Sequence, residues 1–284
     1  VLMYADMSDI SIDSSYTGGL KHETTAQPTW GMSFLEGTTD GQGATKMMGN
    51  AVRMVLGTIR SVEVLAARMS KDPQRQRQVM DYYNAHHPKS IIINHETGVT
   101  AGAAHPEKLV VPGFIDPTIK FIKFANKVGY GKKTPWVPKR LPLQIFIIGQ
   151  LAIVGIPAEI TTVAAARLRK TVAKVLEERG VSEVIISPYA NSYAGYITTY
   201  EEYRLQLYEG GHTLFGKWTL AAYQMKFKQL AEELLKNEKD RSSLPQNPTL
   251  FGMEDIWTGM QDLGMLAALE DAEKKLLDGI NEEE

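Results

Sequence analysis

The sequence predicts an α/β fold in which a mixed sheet is flanked by helices. Residues 141–159 (LPLQIFIIGQLAIVGIPAE) contain two apolar stretches separated by Gly149 and Gln150, a pattern typical of two buried strands joined by a turn. A helical pattern follows over 160–180, and residues 182–190 (SEVIISPYA) predict a further strand. The order strand, strand, helix, strand indicates the α/β class.

The remaining elements follow in chain order. Residues 1–12 alternate between apolar and polar side chains and predict a strand, whereas 13–43 are rich in Gly, Thr and Ser and predict a loop. Residues 44–70 predict a helix that Gly49 and Gly57 either bend or divide in two. Its apolar stripe would comprise Met47, Val52, Val55, Ile59, Val62 and Ala66. A charged helix is expected over 71–84.

The second half of the chain has clearer patterns. The helix after the paired strands would bury Ile160, Ala164, Leu168, Val172, Val175 and Leu176, and Gly180 would end it. Residues 213–237 predict an amphipathic helix with Leu220, Tyr223, Phe227, Leu230 and Leu234 on one side. Between these two parts of the chain, the sequence predicts irregular structure with short strand-like stretches over 86–117 and a short helix over 118–128.

Composition excludes several classes of protein. The chain has 284 residues, a net charge of −2 and no long basic run, so nothing indicates nucleic-acid binding. It has no cysteine, which excludes disulfides, thiol catalysis and cysteine-bound zinc. No apolar stretch approaches the ~20 residues that a transmembrane helix requires.

A tyrosine-rich stretch, residues 189–224, follows the predicted strand 182–190. Its phenols, acids and glycines suit either a loop packed on the core or the wall of a pocket. Glu159 also follows a predicted strand, and functional groups collect at such strand ends. At a helix N-terminus, a carboxylate is stabilised by the helix dipole, which explains Glu159 without any function; the same position would suit a metal ligand. Tyr196 and Tyr208 could donate to an oxyanion or, beside a cation, bind it.

A group of histidines offers another candidate. His86, His87 and His95, with Glu96, could hold a metal because imidazole is a common ligand and a carboxylate can orient it. Their spacing matches no metal-binding helix motif. The alternative is that they are solvated histidines of a loop.

Two long stretches resemble the neutral (non-lysosomal) ceramidases. They are LPLQIFIIGQLAIVGIPAEITTVAAARLR and NSYAGYITTYEEYRLQLYEGGHTLFGKWTLAAYQ, and weaker similarity extends back to the GTTDGQGA loop. The resemblance covers about residues 30–237. It implies that residues 1–238 are the C-terminal part of a ceramidase-like catalytic domain, an incomplete domain by itself. Residues 239–284 would be a linker and an acidic C-terminal helix over 261–284.

The resemblance also implies a function, part of sphingolipid metabolism. The family is a group of zinc-dependent amide hydrolases that cleave N-acylsphingosine (ceramide) to sphingosine and a fatty acid by attack of a zinc-bound water. By the family's motifs, Glu159 and Tyr196 correspond to zinc ligands, and Tyr208 to the group that stabilises the oxyanion. The other tyrosines of the stretch are expected to pack on the core: Tyr189, Tyr193, Tyr200 and Tyr203. The family suggests a secreted or cell-surface location, with transient contact to a membrane surface.

The chain departs from the family pattern in several places. The family's two zinc histidines and its serine motif lie upstream of the matching residues. None of the chain's histidines has a matching context: His22, His86, His87, His95, His105 and His212. His212 stands where a small hydroxyl residue is common, and Lys217 where proline is. The resemblance therefore predicts an upstream segment as a partner that completes the site, with the chain inactive alone.

Two alternatives stay open. The first is a non-catalytic lipid-binding or structural remnant of the same fold. The second is an amidase of this fold that acts on another N-acyl substrate, because the residues that would hold the alkyl chains cannot be located in the sequence.

Overall fold

The structure is a computed structural model, and it describes residues 1–38, 40–41, 43, 46–99 and 137–241. In chain order its strands and helices are β1 (Leu2–Asp6), β2 (Thr29–Gly31), α1 (Met32–Leu35), α2 (Lys46–Met69), α3 (Pro73–His86), β3 (Ile91–Asn94), β4 (Arg140–Ile148), β5 (Leu151–Gly155), β6 (Glu159–Ile160), α4 (Thr162–Leu176), β7 (Glu183–Ser187), β8 (Tyr196–Ile197), α5 (Tyr200–Leu205), α6 (Tyr208–Gly211) and α7 (Thr219–Leu235). No helix in these ranges is long and apolar enough to cross a lipid bilayer.

The central sheet is mixed, as predicted. Its strand order is β1-β4-β5-β7; β1 and β5 run antiparallel to β4, and β7 runs parallel to β5. Gly149 adopts a left-handed conformation (φ 61°) in the turn between β4 and β5, where the sequence predicted it. The α/β fold class and the order strand, strand, helix, strand are therefore confirmed.

Helices α4 and α7 pack together on one face of the sheet. The predicted apolar side of α7 is buried in full, and α4 buries the residues of its stripe that recur at helical spacing. Those of α4 are Ala164, Leu168, Val172 and Leu176. The α4 segment ends at Gly180, which takes a left-handed conformation (φ 80°) that terminates helices.

The opposite face of the sheet carries exposed apolar side chains. Phe146 and Ile148 of β4 are 53% and 67% exposed, and Ile185 of β7 is 51% exposed. Strands of parallel or mixed sheets usually have both faces covered. In the described residues this face has no such cover.

Helix α2 is one continuous helix of 24 residues, and the predicted helix 71–84 corresponds to α3. The predicted apolar stripe of α2 was wrong in part, because Met47, Val55 and Val62 are exposed. Among the described side chains of α2, Leu56 and Ala67 are buried, and Val52 and Ile59 of the predicted stripe are half-buried against the cluster that contains Leu56. Periodicity identified the helix but not the face that packs against the rest of the chain.

Residues 13–43 are more ordered than predicted. They contain β2, which pairs antiparallel with β3, and the short helix α1. The loop prediction was wrong here because three- and four-residue elements give too little periodicity to detect. The predicted helices over 118–128 and 261–284 lie outside the described residues, as does the linker beyond residue 241. The domain boundary after residue 238 therefore stays a prediction.

A buried ion-pair network joins the N-terminal segment to the start of α7. Lys217 Nζ lies 2.9 Å from Glu23 Oε2, and Trp218 Nε1 donates to the same oxygen at 2.8 Å. Lys217 also donates to Asn84 Oδ1 of α3 (3.1 Å). Each charged group is therefore paired and hydrogen-bonded, as buried charges require.

Candidate active site

The candidate site is built on a short parallel ladder between β6 and β8. Glu159 pairs with Tyr196 and Ile160 with Ile197. The backbone N–H of Glu159 donates to the Gly195 carbonyl oxygen (2.9 Å), and that of Thr161 to Ile197 (3.1 Å). Directly paired residues of a parallel ladder point to the same face. The fold therefore brings together the Glu159 carboxylate and the Tyr196 phenol, which are distant in sequence.

The ladder is held in place by the beginning of α5. Thr199 and Glu202 form a capping box, in which each side chain accepts a hydrogen bond from the other residue's backbone N–H. The same Glu202 carboxylate accepts a hydrogen bond from Thr161 Oγ1 at 2.7 Å. Because Thr161 precedes α4 and Thr199 precedes α5, Glu202 links the two segments that carry Glu159 and Tyr196.

Glu159 was expected at a helix N-terminus, and that prediction was wrong. It lies in β6, two residues before Thr161, the residue that caps α4. The helix dipole acts within the first turn, so it does not account for this carboxylate. Hydrogen-bond donors surround Glu159 instead.

Three phenols point at the Glu159 carboxylate. Tyr193 Oη donates to Oε1 at 2.5 Å, and the hydroxyls of Tyr196 and Tyr189 lie near enough to this carboxylate to lower its pKa. The rings of Tyr189 and Tyr193 are stacked with centroids 6.0 Å apart. The sequence assigned these two tyrosines to core packing, which was wrong: both are exposed and face Glu159. Tyr203 is fully buried, as expected.

These contacts decide the charge of each group. Partial burial alone would raise the pKa of Glu159, but the three tyrosine hydroxyls outweigh it and hold that pKa below its ordinary value. Burial, and then the neighbouring carboxylate, raise the pKa of Tyr196. Burial and the nearby Glu159 charge also raise the pKa of Tyr208. At neutral pH the site therefore contains one carboxylate surrounded by neutral phenols.

Tyr208, at the start of α6, lies beside Tyr196 with ring centroids 5.9 Å apart. Phe34, at 5.2 Å, and His212, at 6.5 Å, are its further ring neighbours. Its hydroxyl is not hydrogen-bonded to any residue that the structure describes. This phenol is thus a hydrogen-bond donor available to a ligand.

Behind the tyrosines lies an aromatic floor formed by Trp30, Phe34 and His212. The His212 ring stacks on Phe34 with centroids 4.1 Å apart, and Trp30 contacts it edge-on at 5.8 Å. Sequence analysis missed Trp30 and Phe34 as site residues. Their spacing of four residues was a weak signal, because Trp30 lies in strand β2 and Phe34 in helix α1, so they do not share one helix face.

Two glycines allow these layers to approach closely. A Cβ on Gly195, whose φ is +66°, would lie 2.4 Å from the His212 carbonyl oxygen. A Cβ on Gly211 would lie 2.4 Å from Ser33 Oγ and 2.6 Å from the Phe34 backbone nitrogen. Any larger residue at either position would force the floor away from the ladder.

His212 is a buried, neutral imidazole. It is only 7% exposed, and its Nδ1 atom is buried without a hydrogen-bond partner among the described residues. Burial and the charge of Lys89 lower its pKa to about 4, although Glu159 opposes this shift. At neutral pH His212 is therefore an uncharged imidazole.

The histidine group predicted from sequence does not form a metal site. His86 is buried at the end of α3, with Nδ1 3.2 Å from Thr29 Oγ1 and Nε2 2.9 Å from the Gln27 carbonyl oxygen. His95 is also buried, whereas His87 is exposed. The interpretation as solvated histidines was thus wrong for His86 and His95. Over the described ranges, no three His, Cys, Asp or Glu side chains cluster as a metal site would require.

The residues present fit part of a zinc site. Glu159 supplies a carboxylate whose pKa is held below its ordinary value, and Tyr196, its partner in the ladder, supplies a phenol. The orphaned Nδ1 atom of His212 lies in the adjacent floor. Zinc in proteins takes three or four protein ligands, so Glu159 and Tyr196 alone do not complete a site.

The known proteins that this chain resembles are neutral ceramidases. The family described as neutral/alkaline non-lysosomal ceramidase, N-terminal, matches residues 121–225. Neutral ceramidase A of Dictyostelium discoideum is 30% identical over 242 residues, which is 84% of this chain and 28% of the relative. Neutral ceramidase of Pseudomonas aeruginosa is 50% identical over 106 residues, 37% of this chain and 16% of that protein.

Solved structures agree. A ceramidase complexed with C2 superposes with a TM-score of 0.54 at 29% identity, covering 88% of this chain and 31% of that one. The crystal structure of neutral ceramidase from Pseudomonas aeruginosa gives 0.50 at 28% identity, covering 88% and 29%. The predicted resemblance is confirmed: the chain is a relative of the neutral ceramidases. It spans less than a third of the length of these relatives.

Proposed function

We propose that this chain is the C-terminal part of the catalytic domain of a ceramidase-like zinc amidase. The substrate would be N-acylsphingosine, and the products sphingosine and a fatty acid. The observation that carries the proposal is the pairing of Glu159 with Tyr196 in one ladder, with the unengaged Tyr208 hydroxyl beside them. These are the three residues that the family motifs select. Residues 1–238 would form the catalytic part and 239–284 a linker and acidic helix.

Each residue has a role that its environment supports. Glu159 is ionised at neutral pH and, with Tyr196, would hold zinc. When bound, zinc activates water and polarises the amide carbonyl. Tyr208, a neutral phenol, would donate a hydrogen bond to the oxygen that gains negative charge as the amide is attacked. Such a donor is typically worth about 3–4 kcal/mol of transition-state stabilisation.

The site would be completed by an upstream segment of the same protein, whether continuous with this chain or separate from it. The exposed side chains Phe146, Ile148 and Ile185 support this, because a sheet face of this kind is normally covered. The two ligands Glu159 and Tyr196 are also fewer than a zinc site needs. By itself the chain is expected to be inactive.

The test is to reconstitute the chain with its upstream segment and to measure zinc content and ceramide hydrolysis. We expect about one zinc per complex and hydrolysis that Glu159→Ala abolishes. The matched control is Glu183→Ala, an exposed glutamate of β7, which should leave both unchanged. Hydrolysis that survives Glu159→Ala would refute the proposal. Ceramide binding without zinc or hydrolysis would instead favour the non-catalytic lipid-binding remnant.

A further inference from the structure

Helix α2 has a second apolar face, which is exposed. Leu56 and Ala67 are buried on its inner side. On the other side, six apolar side chains are between 55% and 84% exposed: Met47, Met54, Val55, Val62, Leu65 and Met69. The outer face of a surface helix is normally charged or polar, and exposed apolar patches mark interaction sites. Within the part of the chain that the structure describes, nothing covers this face.

The exposed face has the spacing by which one helix packs against another. Six of its residues follow one another at alternating intervals of four and three positions: Ala51, Val55, Thr58, Val62, Leu65 and Met69. We call these six residues the outer stripe. All of them are exposed and none is charged. A seven-residue repeat of this kind is typical of a helix that pairs with a second helix.

The charges of α2 indicate which kind of helix would fit. Beyond position 50 this helix carries three arginines and one glutamate: Arg53, Arg60, Arg68 and Glu63. Arg53 is paired with Glu36, whereas Arg68 is exposed and forms no ion pair with a described residue. Two copies of α2 would bring like charges together, and an acidic helix would bring opposite ones. The charges therefore favour an acidic partner.

A segment near the C-terminus has the complementary pattern. Residues 261–284, outside the described residues, are the predicted acidic helix and equal the 24 residues of α2 in length. They include eight acidic and two basic residues. Their apolar residues recur at the same intervals of four and three: Met265, Leu269, Ala272 and Leu276. The two segments thus agree in length and repeat and are opposite in charge.

The connection between them is long enough. After Arg241, the 19 residues 242–260 precede the acidic segment. Fully extended, such a chain spans up to about 60 Å, more than the roughly 45 Å across a domain of this size. A tethered segment also meets its docking site at an effective concentration on the order of 1 mM, so weak helix pairing is sufficient.

We propose that residues 261–284 dock as a helix on the outer stripe of α2. Met265, Leu269, Ala272 and Leu276 would cover the stripe, and the acidic residues would lie near Arg60 and Arg68. Docking of this kind requires neither zinc nor amide hydrolysis, so it stands or falls separately from the proposed function.

The first test uses the full 284-residue chain, which has no cysteine, so that a single introduced thiol reports one position. Val62→Cys should react with a thiol reagent about tenfold more slowly than Arg169→Cys, at an exposed position of α4, because a covered thiol reacts only while the segment is undocked. Adding Leu269→Asp should remove this protection. Ala267→Asp, the same kind of change outside the apolar repeat, is the matched control and should retain it.

The second test is a disulfide between the two segments. Val62→Cys combined with Leu269→Cys should form an intramolecular disulfide on mild oxidation, because both positions lie near the middle of their repeats and can meet in either helix orientation. Arg169→Cys combined with Leu269→Cys should not.

Four results would overturn the inference. The first is a Val62→Cys thiol that reacts as fast as Arg169→Cys and forms no disulfide with Leu269→Cys. The second is protection that Leu269→Asp leaves unchanged. Disulfide-linked dimers of Val62→Cys alone would instead assign the outer stripe to a second copy of the chain. Protection that requires phosphatidylcholine vesicles would assign it to a lipid surface.

Discussion

Two carboxylates of this protein, Glu23 and Glu159, are held in opposite ways. Glu23 is buried and fully paired: Lys217 supplies a positive charge, and Trp218 an N–H donor. Glu159 is only partly buried and is bonded by hydroxyl groups, without a Lys or Arg partner in the described part of the chain. The first carboxylate has its countercharge within the fold, whereas the second keeps its charge available.

The arrangement at Glu23 serves the stability of the fold, whereas the arrangement at Glu159 suits binding of a positively charged group. A buried ion pair with complete hydrogen bonds fixes the relative position of segments, and here it joins the N-terminal segment, α3 and the start of α7. A carboxylate held ionised by neutral donors can attract a cation from outside. The two sites therefore predict opposite consequences of mutation, one for stability and the other for chemistry.

The largest effect on stability is expected at Glu23. Glu23→Gln leaves Lys217 buried without a countercharge and should lower the free energy of unfolding by about 3–5 kcal/mol. Glu159→Gln should change it by less than ~1 kcal/mol, because the amide oxygen still accepts from the phenols. Urea unfolding followed by circular dichroism measures both. Glu23→Gln combined with Lys217→Met should recover part of the loss; equal effects of the two single variants would contradict the comparison.

The next effect concerns chemistry rather than stability. Tyr208→Phe in the complete assembly should lower kcat by about 10²–10³-fold, because it removes the donor to the oxyanion. The unfolding free energy should stay within ~0.5 kcal/mol of the wild type. Tyr200→Phe, at a tyrosine that stacks on Trp218 at 4.5 Å, is the control for loss of a hydroxyl. A decrease of kcat in both variants would argue against a specific role for Tyr208.

A third effect is acid sensitivity of the metal-free chain at His212. Burial depresses its folded pKa to about 4, below the ordinary value of about 6.5, so the unfolded state binds the proton first. The stability that His212 contributes is present above about pH 6.5 and is lost as pH falls towards 4, by roughly 3 kcal/mol. His212→Phe should reduce the slope of the unfolding free energy against pH in this range, to which the buried His86 and His95 also contribute. An unchanged slope would show that His212 is not buried neutral.

The smallest expected effect is on the pKa of the Glu159 carboxyl group. Tyr193→Phe removes the 2.5 Å hydrogen bond and should raise the carboxyl pKa towards its ordinary value of about 4.3. The stability that Glu159 contributes is present above its unfolded pKa and is lost as pH falls through the lower folded pKa. In Tyr193→Phe the two pKa values should lie closer together, so the pH range over which this stability is lost should become narrower. ¹³C titration of the Glu159 carboxyl measures the shift. Tyr203→Phe, whose hydroxyl bonds the His86 carbonyl oxygen, should leave it unmoved.

The sequence predicted the elements whose patterns are long and apolar. The strands β4, β5 and β7 and the helices α4 and α7 were found because their side chains alternate or recur regularly against one core. The elements β2 and α1 were missed because three or four residues are too few to show a hydrophobic periodicity. The buried face of α2 was predicted wrongly in part, because periodicity shows that a helix is amphipathic but not which neighbouring element it packs against.

The candidate site shows the same limit. The family motifs selected Glu159, Tyr196 and Tyr208, and the structure brings them together. The additional hydroxyls on Glu159, from Tyr189 and Tyr193, depend on how the loop after β7 turns. That loop holds Tyr189 and Asn191 at positive φ (57° and 61°), a conformation that residue type alone does not reveal. The burial of His86, His95 and His212 depends on contacts between distant segments.

The ladder between β6 and β8 contains only two residue pairs, and this restricts which changes of length the protein can accept. Side chains alternate between the two faces of a strand, so a change of length that slips β6 by one residue against β8 would turn the carboxylate to the opposite face from Tyr196. Substitutions around the ladder preserve this geometry, whereas a single-residue insertion does not. Length variation in this protein should therefore concentrate in segments such as the turn at Gly149, away from the ladder.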